Sequence, residues 1–339
     1  MNETMMQGHE ATKRAASEAS SAGEMWAVRF DAFGGPEVLR LARVPRPAPG
    51  RGEVRVRVQA ASLNPIDWKI RRGQMRLMSG SKFPMSAGGD FTGVVDAVGP
   101  GPSPWRVGDE VFGLAASMRG GALAEVIVVP SNNLARRSPS VPLEQAAGAV
   151  TALASLQALR DVARVAPGQH VLINGCAGGM GLAALQLAKA MGARVTGTCS
   201  ARGLALAREL GADEALDYRA VDVIDRGGSY DVVLDLATNL GFQRARRVLS
   251  PRGTYIDPAP TPARLLGQAI ANVFRRQKYR ALLSSPRAAD LANLAAEMGS
   301  GRLRTHVDAV FNLRDIEAAY RRAEAGAVLG KVIVRMASA

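Results

Sequence analysis

The chain has 339 residues, of which 47% are hydrophobic and 22% are charged, which is ordinary for a globular protein large enough for two domains. It contains no uncharged apolar run of about 18 residues, and residues 1–24 carry several charges, so we expect neither a membrane span nor a secretory signal. These exclusions predict a cytoplasmic protein. The two cysteines, Cys176 and Cys199, are too few for a disulfide framework or a four-cysteine zinc site.

The formal net charge of +13 comes mainly from arginines that are scattered singly along the chain. The one concentrated basic patch contains Arg275, Arg276, Lys278 and Arg280. Charge patterning favours a solvated face for this patch. The alternative is an anionic partner, either RNA or a membrane surface, because a positive field attracts phosphates without sequence-specific contacts. No recognisable nucleic-acid-binding motif accompanies the patch, so we do not expect a nucleic-acid partner.

The first part of the chain has the pattern of a β-rich domain after a polar leader. Residues 1–24 are small, polar and weakly patterned, which predicts disorder. In residues 53–60, EVRVRVQA, valines alternate with polar side chains, and this period of two predicts a strand with one solvent-facing side. Similar short segments follow between Gly and Pro turns, so residues 25–142 are expected to form a compact, partly open β-barrel.

The second part of the chain has a different period. Near Val141 the apolar spacing changes from two to about 3.6, which predicts a long helix over residues 141–163 and marks a domain boundary. Strands and helices then alternate, with a helix near 241–249, and this order predicts a doubly wound parallel sheet. We expect that domain to cover residues 143–277 and residues 278–339 to return to the first domain.

A glycine-rich turn lies at the centre of the second domain. Residues 170–199 read as a strand, this turn, an amphipathic helix and a second strand, and in that context the turn predicts a dinucleotide site. Gly178 stands where the backbone approaches a pyrophosphate, and Gly181 where the helix packs closely on the strand. The positive end of the helix then faces the phosphates. The cofactor-binding residues predicted on this turn are Ala177, Gly178, Gly179, Met180 and Gly181.

The end of the second strand predicts which nicotinamide cofactor binds. An acidic residue at this point would bind the ribose 2′-hydroxyl of NAD, but the chain has Ser200 and Arg202 there. Without a carboxylate to repel a 2′-phosphate, Ser200 can donate a hydrogen bond to it and Arg202 can form an ion pair. The sequence therefore predicts NADPH as the cofactor.

Five stretches, FGGPEVLRL, SLNPIDWKIRRG, GGDFTGVVDAVGPG, VLINGCAGGMG and LGADEALDY, occur in this order between Met25 and Met336. On these stretches the chain resembles the zinc-independent, zeta-crystallin-like quinone oxidoreductase branch of the medium-chain dehydrogenase/reductase superfamily. The resemblance implies an α/β fold in which a GroES-like β-barrel catalytic domain, completed by the C-terminal segment, joins a Rossmann domain. It also implies a homodimer formed along the edge of the Rossmann sheet.

The resemblance also bears on metal binding. Zinc-dependent members of the superfamily carry a cysteine where this chain has Asn64, and Gly-His-Glu where it has residues 88–90, Gly-Gly-Asp. The loss of a thiolate and an imidazole removes two of the ligands that a tetrahedral zinc site needs. The three histidines of the chain join no cluster at ligand spacing. We therefore expect no metal.

The resemblance supplies further site residues. In the family, a loop matching residues 64–69 faces the nicotinamide, which gives Asn64 and Lys69 catalytic roles and makes Asn64 a cofactor contact as well. Tyr218 matches a tyrosine that contacts the 2′-phosphate, and Lys331 is added to the cofactor-binding residues. Two alternatives stay open: Lys69 as a solvated loop residue and Tyr218 as a core aromatic.

These residues predict a zinc-independent, NADPH-dependent reductase of small-molecule quinones or other α,β-unsaturated carbonyls. Hydride added to the β-carbon leaves negative charge on the carbonyl oxygen, which a nearby ammonium or carboxamide stabilises. The α-proton then comes from solvent or from Lys69. One alternative is a dedicated enoyl reductase of a biosynthetic pathway. The other is a cofactor-binding protein that acts through RNA or an anionic surface.

Overall fold

The structure is a computed structural model, and it describes residues 23–115, 120–261, 264–265, 272 and 275–336. The expected disordered leader lies outside the described residues, except for Gly23 and Glu24, and Glu24 already belongs to a strand. The strands are β1 (Glu24–Phe30), β2 (Arg40–Pro45), β3 (Glu53–Ser62), β4 (Met85–Ser86), β5 (Asp90–Val98), β6 (Glu110–Leu114), β7 (Val126–Pro130), β8 (Leu134–Arg136), β9 (His170–Asn174), β10 (Arg194–Cys199), β11 (Glu214–Asp217), β12 (Tyr230–Asp235), β13 (Leu249–Asp257), β14 (Lys278–Ala281), β15 (Val307–Asn312) and β16 (Lys331–Arg335). The α-helices are α1 (Pro65–Arg71), α2 (Arg76–Ser79), α3 (Leu143–Ala149), α4 (Thr151–Gln157), α5 (Gly179–Ala190), α6 (Leu204–Glu209), α7 (Phe242–Ala245), α8 (Ala288–Gly299) and α9 (Ile316–Glu324).

The first unit is organised around β3. This strand lies in a seven-stranded sheet of order β15-β16-β3-β5-β6-β8, and β7 also pairs with it. Its alternation follows the sequence pattern: Val54, Val56 and Val58 are buried in the core of the unit, whereas Arg57 is exposed. β16 pairs antiparallel with the end of β3, so the C-terminal segment returns to the first unit and completes its sheet.

The second unit is a six-stranded parallel sheet of order β11-β10-β9-β12-β13-β14. Its central strands are covered on both faces, and Val171, Leu172 and Ile173 of β9 have no exposed surface. The chain proceeds outward from β9 through β10 to β11 and then crosses back to β12. Between β9 and β12 the direction of winding therefore reverses, and ligands of such sheets bind at the carboxyl ends of the strands there.

The C-terminal boundary of this unit differs from the expectation. β14, residues 278–281, pairs with β13 and is the sixth strand of the parallel sheet, so the expected end at residue 277 is one strand too early. Only Tyr279 of β14 is buried, and charged neighbours hide the strand period in the sequence. The helix expected near 241–249 is also shorter, because Leu249 already begins β13 and pairs with Tyr230.

The connection between the two units is not one continuous helix. The expected helix over residues 141–163 is divided into α3, α4 and a π-helical turn, Ala158–Ala163. The division at Val150 places Thr151 at the start of α4, and α3 contacts β3, β5 and β16 of the first unit. Thr151 thereby lies where the two units meet. Among the described residues, no helix is long and apolar enough to span a membrane.

Candidate active site

The glycine-rich turn follows β9 and leads directly into α5. Gly175 has a φ of 84°, and α5 begins at Gly179 with Gly178 as its N-cap. A Cβ atom at Gly181 would lie 2.5 Å from the carbonyl oxygens of both Gly175 and Cys176, so only glycine lets the helix pack this closely. A Cβ at Gly178 would meet nothing closer than 3.8 Å. The N-cap of the helix is therefore uncrowded on this side, and a glycine backbone at a helix N-terminus fits a bound pyrophosphate.

Two other parts of the chain donate hydrogen bonds to carbonyl oxygens of the same turn. The Ser155 hydroxyl of α4 donates a hydrogen bond of 2.8 Å to the carbonyl oxygen of Met180. The Gly330 backbone N–H donates one of 2.8 Å to the carbonyl oxygen of Ala177, which is itself buried. These contacts fix the backbone of the turn without using the N–H groups of Gly179, Met180 and Gly181.

The residues predicted to bind the 2′-phosphate lie together at the carboxyl ends of β10 and β11. Cys199 and Asp217 are register partners, and the Tyr218 N–H donates a hydrogen bond of 3.1 Å to the Cys199 carbonyl, so Ser200 and Tyr218 follow neighbouring strands. Tyr218 is 52% exposed and is therefore a surface side chain, not a core aromatic. Arg202 is also exposed. Sequence reasoning missed Arg219, whose guanidinium carbon lies 5.4 Å from the centre of the Tyr218 ring.

Five side chains from distant segments meet beside the turn, and we call them the polar cluster. Lys331 Nζ donates hydrogen bonds to Asn64 Oδ1 at 2.5 Å and to Thr151 Oγ1 at 2.9 Å. Asn64 Nδ2 donates to Asp90 Oδ2 at 2.8 Å, and the Ser62 hydroxyl donates to the same oxygen at 3.2 Å. The amide of Asn64 is thus fixed from both ends. The members of the polar cluster are Ser62, Asn64, Asp90, Thr151 and Lys331.

Burial shapes the charges around this cluster. Lys331 is only 4% exposed, and burial lowers the pKa of its ammonium, while the nearby carboxylates of Asp90 and Asp67 oppose that effect. Asp67 lies next to the cluster and accepts the Asn64 backbone N–H at 2.7 Å. Burial is also the largest influence on Asp67 and raises the pKa of its carboxyl group to about 7, with Asp90 adding repulsion.

Lys69 is not part of the polar cluster. It lies on α1, is half-buried, and makes no side-chain hydrogen bond or ion pair with any residue that the structure describes. α1 itself is held rigidly, because Arg71 is almost fully buried and donates a hydrogen bond of 2.6 Å to Glu324 of α9. The Arg71 guanidinium also lies 4.9 Å from the centre of the Tyr320 ring. Lys69 is therefore a free cation on a fixed helix, and its catalytic role stays a prediction.

The side chains of the polar cluster do not fit a metal ion. The donor set is an amide, hydroxyls and one carboxylate, without the thiolates and imidazoles that zinc prefers. The Lys331 ammonium bonds to the Asn64 oxygen, and a buried positive charge repels a divalent cation at that point. Within the described parts of the chain, no group of three or more histidine, cysteine or carboxylate side chains could hold a metal.

The basic patch is only partly available to a partner. Lys278 Nζ donates hydrogen bonds of 2.6 Å to the carbonyl oxygens of Asn272 and Arg275, and the Arg275 guanidinium stacks on Phe242. Arg276 and Arg280 are the exposed members of the patch.

Sequence reasoning identified Asn64 and Lys331 separately but did not bring them together. It treated Asp90 only as a replaced metal ligand and missed Ser62 and Thr151. The signal available in the sequence was weak: a polar residue next to an apolar segment at the end or start of a strand, as for Ser62 and Asp90. Because buried polar groups require hydrogen-bond partners, such residues predict a network, but not its members.

Comparisons with known proteins agree with this architecture. The family described as "Alcohol dehydrogenase GroES-like domain" matches residues 50–139, and the family described as "Zinc-binding dehydrogenase" matches residues 210–334. The chain is 32% identical to the chloroplastic quinone-oxidoreductase QR1 of Triphysaria versicolor, over 91% of this chain and 98% of that protein. It is also 32% identical to the trans-enoyl reductase pgmF of Aspergillus terreus, over 85% of this chain and 87% of that protein.

Solved structures show the same relationship. The quinone oxidoreductase from Coxiella burnetii superposes with a TM-score of 0.84 at 31% identity, covering 92% of this chain and 99% of that one. The Escherichia coli quinone oxidoreductase, solved as a complex with NADPH, superposes with a TM-score of 0.78 at 25% identity, covering 91% and 99%. The expected fold, a GroES-like unit joined to a Rossmann-type sheet, is confirmed. The chain is therefore an oxidoreductase that belongs to the quinone oxidoreductase branch of the medium-chain dehydrogenase/reductase superfamily.

Proposed function

We propose that the protein is a zinc-independent, NADPH-dependent reductase of quinones or other α,β-unsaturated carbonyls. The observation that carries the proposal is the arrangement of the Asn64 amide, which a buried ammonium and a carboxylate hold in place beside the glycine-rich turn. A cofactor turn next to an oriented hydrogen-bond donor is what hydride transfer to a conjugated carbonyl requires.

The preference for NADPH rests on the residues that follow β10 and β11. Ser200 and Arg202 come after β10 and Tyr218 comes after its neighbour β11, and neither Ser200 nor Arg202 is acidic. Arg219 adds a second guanidinium to that group. The E. coli relative that was solved with NADPH supports the same choice of cofactor.

The mechanism uses few protein groups. A nicotinamide held at the glycine-rich turn would supply the hydride that reduces the β-carbon of the acceptor. Asn64 Nδ2 has one hydrogen bonded to Asp90, and its other hydrogen has no acceptor among the described residues, so it is free to donate to the substrate oxygen. The Lys331 ammonium on Asn64 Oδ1 polarises the amide and makes it a stronger donor as negative charge develops. Lys69 or solvent then delivers the proton to the α-carbon.

A panel of acceptors tests the proposal directly. The purified protein is mixed with NADPH and, separately, with a quinone, a short enone and an enal, and NADPH absorbance is followed over time. We expect substrate-dependent loss of NADPH with at least one acceptor. Consumption of NADPH by none of them would show that the proposed function is wrong.

The role of Lys69 is tested by Lys69→Ala, with Lys82→Ala as the control at an exposed lysine outside the site. If Lys69 donates the α-proton, kcat with an enone falls by about tenfold or more, because general acid catalysis contributes at least that much when solvent can substitute poorly. The Kd of NADPH and the control variant stay at wild-type values. An unchanged kcat in Lys69→Ala would assign the proton transfer to solvent.

A dedicated enoyl reductase is the second candidate, and the similarity to the trans-enoyl reductase pgmF favours it. A dedicated enoyl reductase would act only on long-chain or carrier-bound enoyl substrates in the same assay. An RNA-binding or surface-binding role would instead show salt-sensitive binding without any reductase activity. A homodimer joined along an edge of the parallel sheet is also proposed, and light scattering measures the oligomeric state.

A further inference from the structure

Lys331 carries a contact pattern that its predicted role as a cofactor-binding residue does not explain. The ammonium donates three hydrogen bonds: to the Leu63 carbonyl at 3.0 Å, to Thr151 Oγ1 at 2.9 Å and to Asn64 Oδ1 at 2.5 Å. An ammonium has three hydrogens, so all of them are used inside the protein. A fourth partner on a bound cofactor would have to replace one of these bonds.

The other end of the same residue lies against the nucleotide turn. Gly330 pairs with Gly178 in a parallel bridge and donates its N–H to the Ala177 carbonyl. A Cβ at Gly179 would lie 2.4 Å from Lys331 Cδ, so the lysine stem passes directly beneath the first residue of α5. Gly148 of α3 leaves room on the opposite side, where a Cβ would lie 3.1 Å from Lys331 Cγ.

Lys331 therefore joins three parts of the fold. The backbone of its neighbour Gly330 contacts the turn of the second unit, the Lys331 stem lies between α3 and α5, and the ammonium reaches Leu63, which follows β3 in the first unit and is 268 residues away in the sequence. The Leu63 and Asn64 acceptors follow the strand with which β16 pairs. No other described lysine makes hydrogen bonds to both a barrel carbonyl and the α4 hydroxyl.

We propose that Lys331 is a positioning residue that holds the Asn64 amide in one orientation against the nucleotide turn, through the bond from its ammonium to Asn64 Oδ1. This inference rests on the proposed reductase function and deepens it. With Oδ1 facing the ammonium, Nδ2 faces Asp90 and keeps one hydrogen without an acceptor among the described residues, so a substrate oxygen at this point would meet a donor and not an acceptor. Without the ammonium, Asn64 Oδ1 retains only the Thr151 hydroxyl at 3.2 Å, which Asp90 Oδ2 also attracts at 3.3 Å.

The experiment compares Lys331→Met, Asn64→Ala and the double variant, with Lys189→Met as the matched control. Lys189 lies on the surface of α5 and pairs with Asp213. We measure kcat with the most active acceptor of the panel and the Kd of NADPH by cofactor fluorescence. Thermal unfolding confirms that each variant is folded, and Lys331→Gln, which keeps a hydrogen-bond donor without the charge, provides a milder substitution.

We expect Lys331→Met to lower kcat by about 10- to 100-fold, the range for a lost hydrogen bond to a charged group, and to leave the Kd of NADPH within about threefold of wild type. In the Asn64→Ala background, the same substitution is expected to lower kcat by less than about twofold, because the amide through which Lys331 acts is absent. Lys331→Gln should recover part of the lost kcat. Effects that multiply in the double variant, or a Kd raised about tenfold with kcat unchanged, would overturn the proposal.

A measurement without turnover separates this proposal from the proposed function. In protein labelled with ¹⁵N-asparagine, the side-chain amide signals of Asn64 are identified by their loss in Asn64→Asp. We expect these signals to shift in Lys331→Met and to stay in place in Lys189→Met. If wild-type protein reduces no acceptor but the signals shift, the reductase function fails and the positioning stands. Unmoved signals would show that Lys331 does not position Asn64.

Discussion

The glycine-rich turn and the polar cluster lie side by side but are built in opposite ways. The turn is one continuous segment between β9 and α5, and its chemistry comes from backbone N–H groups and the helix end. The polar cluster takes its five side chains from β3, the loop before α1, β5, α4 and β16, and it depends on a buried charge. Gly330 and Lys331 are where the two regions touch.

This difference predicts how each region responds to substitution. A change in the turn alters the backbone that we propose binds the cofactor, so cofactor affinity is expected to change first. A change in the cluster alters the orientation or charge of side chains, so turnover or pH dependence changes while the cofactor still binds. Three substitutions test this separation: one in the turn, one after β10 on the cofactor side, and one at a carboxylate next to the polar cluster.

Gly181→Ala is expected to have the largest effect. The new Cβ would lie 2.5 Å from the Gly175 and Cys176 carbonyl oxygens, so the turn must move and its N–H groups lose their alignment. We expect the Kd of NADPH to rise by about 100-fold or more, measured by fluorescence titration, because several backbone contacts to phosphate are lost together. Gly299→Ala is the control, since its Cβ meets only an ordinary contact of 3.4 Å. Wild-type affinity in Gly181→Ala would contradict the assignment of the turn.

Arg202→Ala is expected to have an intermediate and selective effect. If Arg202 pairs with the 2′-phosphate, the Kd of NADPH rises by about 10- to 100-fold and that of NADH by less than about threefold, since only NADPH carries this phosphate. Isothermal titration with each cofactor measures the difference. Arg194→Ala, at the opposite end of β10 from Arg202, should change neither Kd. An equal rise in Kd for NADPH and NADH would contradict a contact between Arg202 and the 2′-phosphate.

Asp67→Asn is expected to have the smallest effect, and it acts on stability. Burial raises the pKa of the Asp67 carboxyl group to about 7 in the folded protein, whereas an unfolded aspartate titrates near pH 3.9. Folding therefore favours the protonated form, and stability is lost as the pH rises from about 4 through 7.

Asp67→Asn cannot ionise, so its stability relative to wild type should increase between pH 5 and pH 8 by about 2 kcal/mol, measured by urea unfolding. Asp225→Asn, at an exposed surface carboxylate, is the matched substitution. A constant difference between wild type and Asp67→Asn across this pH range would show that the carboxyl group does not change protonation there.

The fold of the second unit was predicted correctly from the sequence because its signals are local. Strand, turn and helix follow one another, and the glycines mark positions where a side chain would collide with neighbouring backbone. The sequence placed the end of this unit at residue 277, before β14, because this strand has one buried residue and lies among charges, so no period is visible until the sheet supplies its partner. The long helix over 141–163 was predicted as one element, because spacing alone does not show where a helix is interrupted at a domain junction.

The sequence by itself determined the order of the elements, the glycine-rich turn, the presence of Ser200 and Arg202 in place of an acidic residue after β10, and the replacement of a zinc ligand at Asn64, since each depends on neighbouring residues or on residue type. Only the tertiary structure decided that Lys331 faces Asn64 and Thr151. That contact forms because β16 pairs with β3 while Gly330 is hydrogen-bonded to the glycine-rich turn. Neither pairing has a local signal, because strand partners far apart in sequence are selected by the packing of the whole sheet.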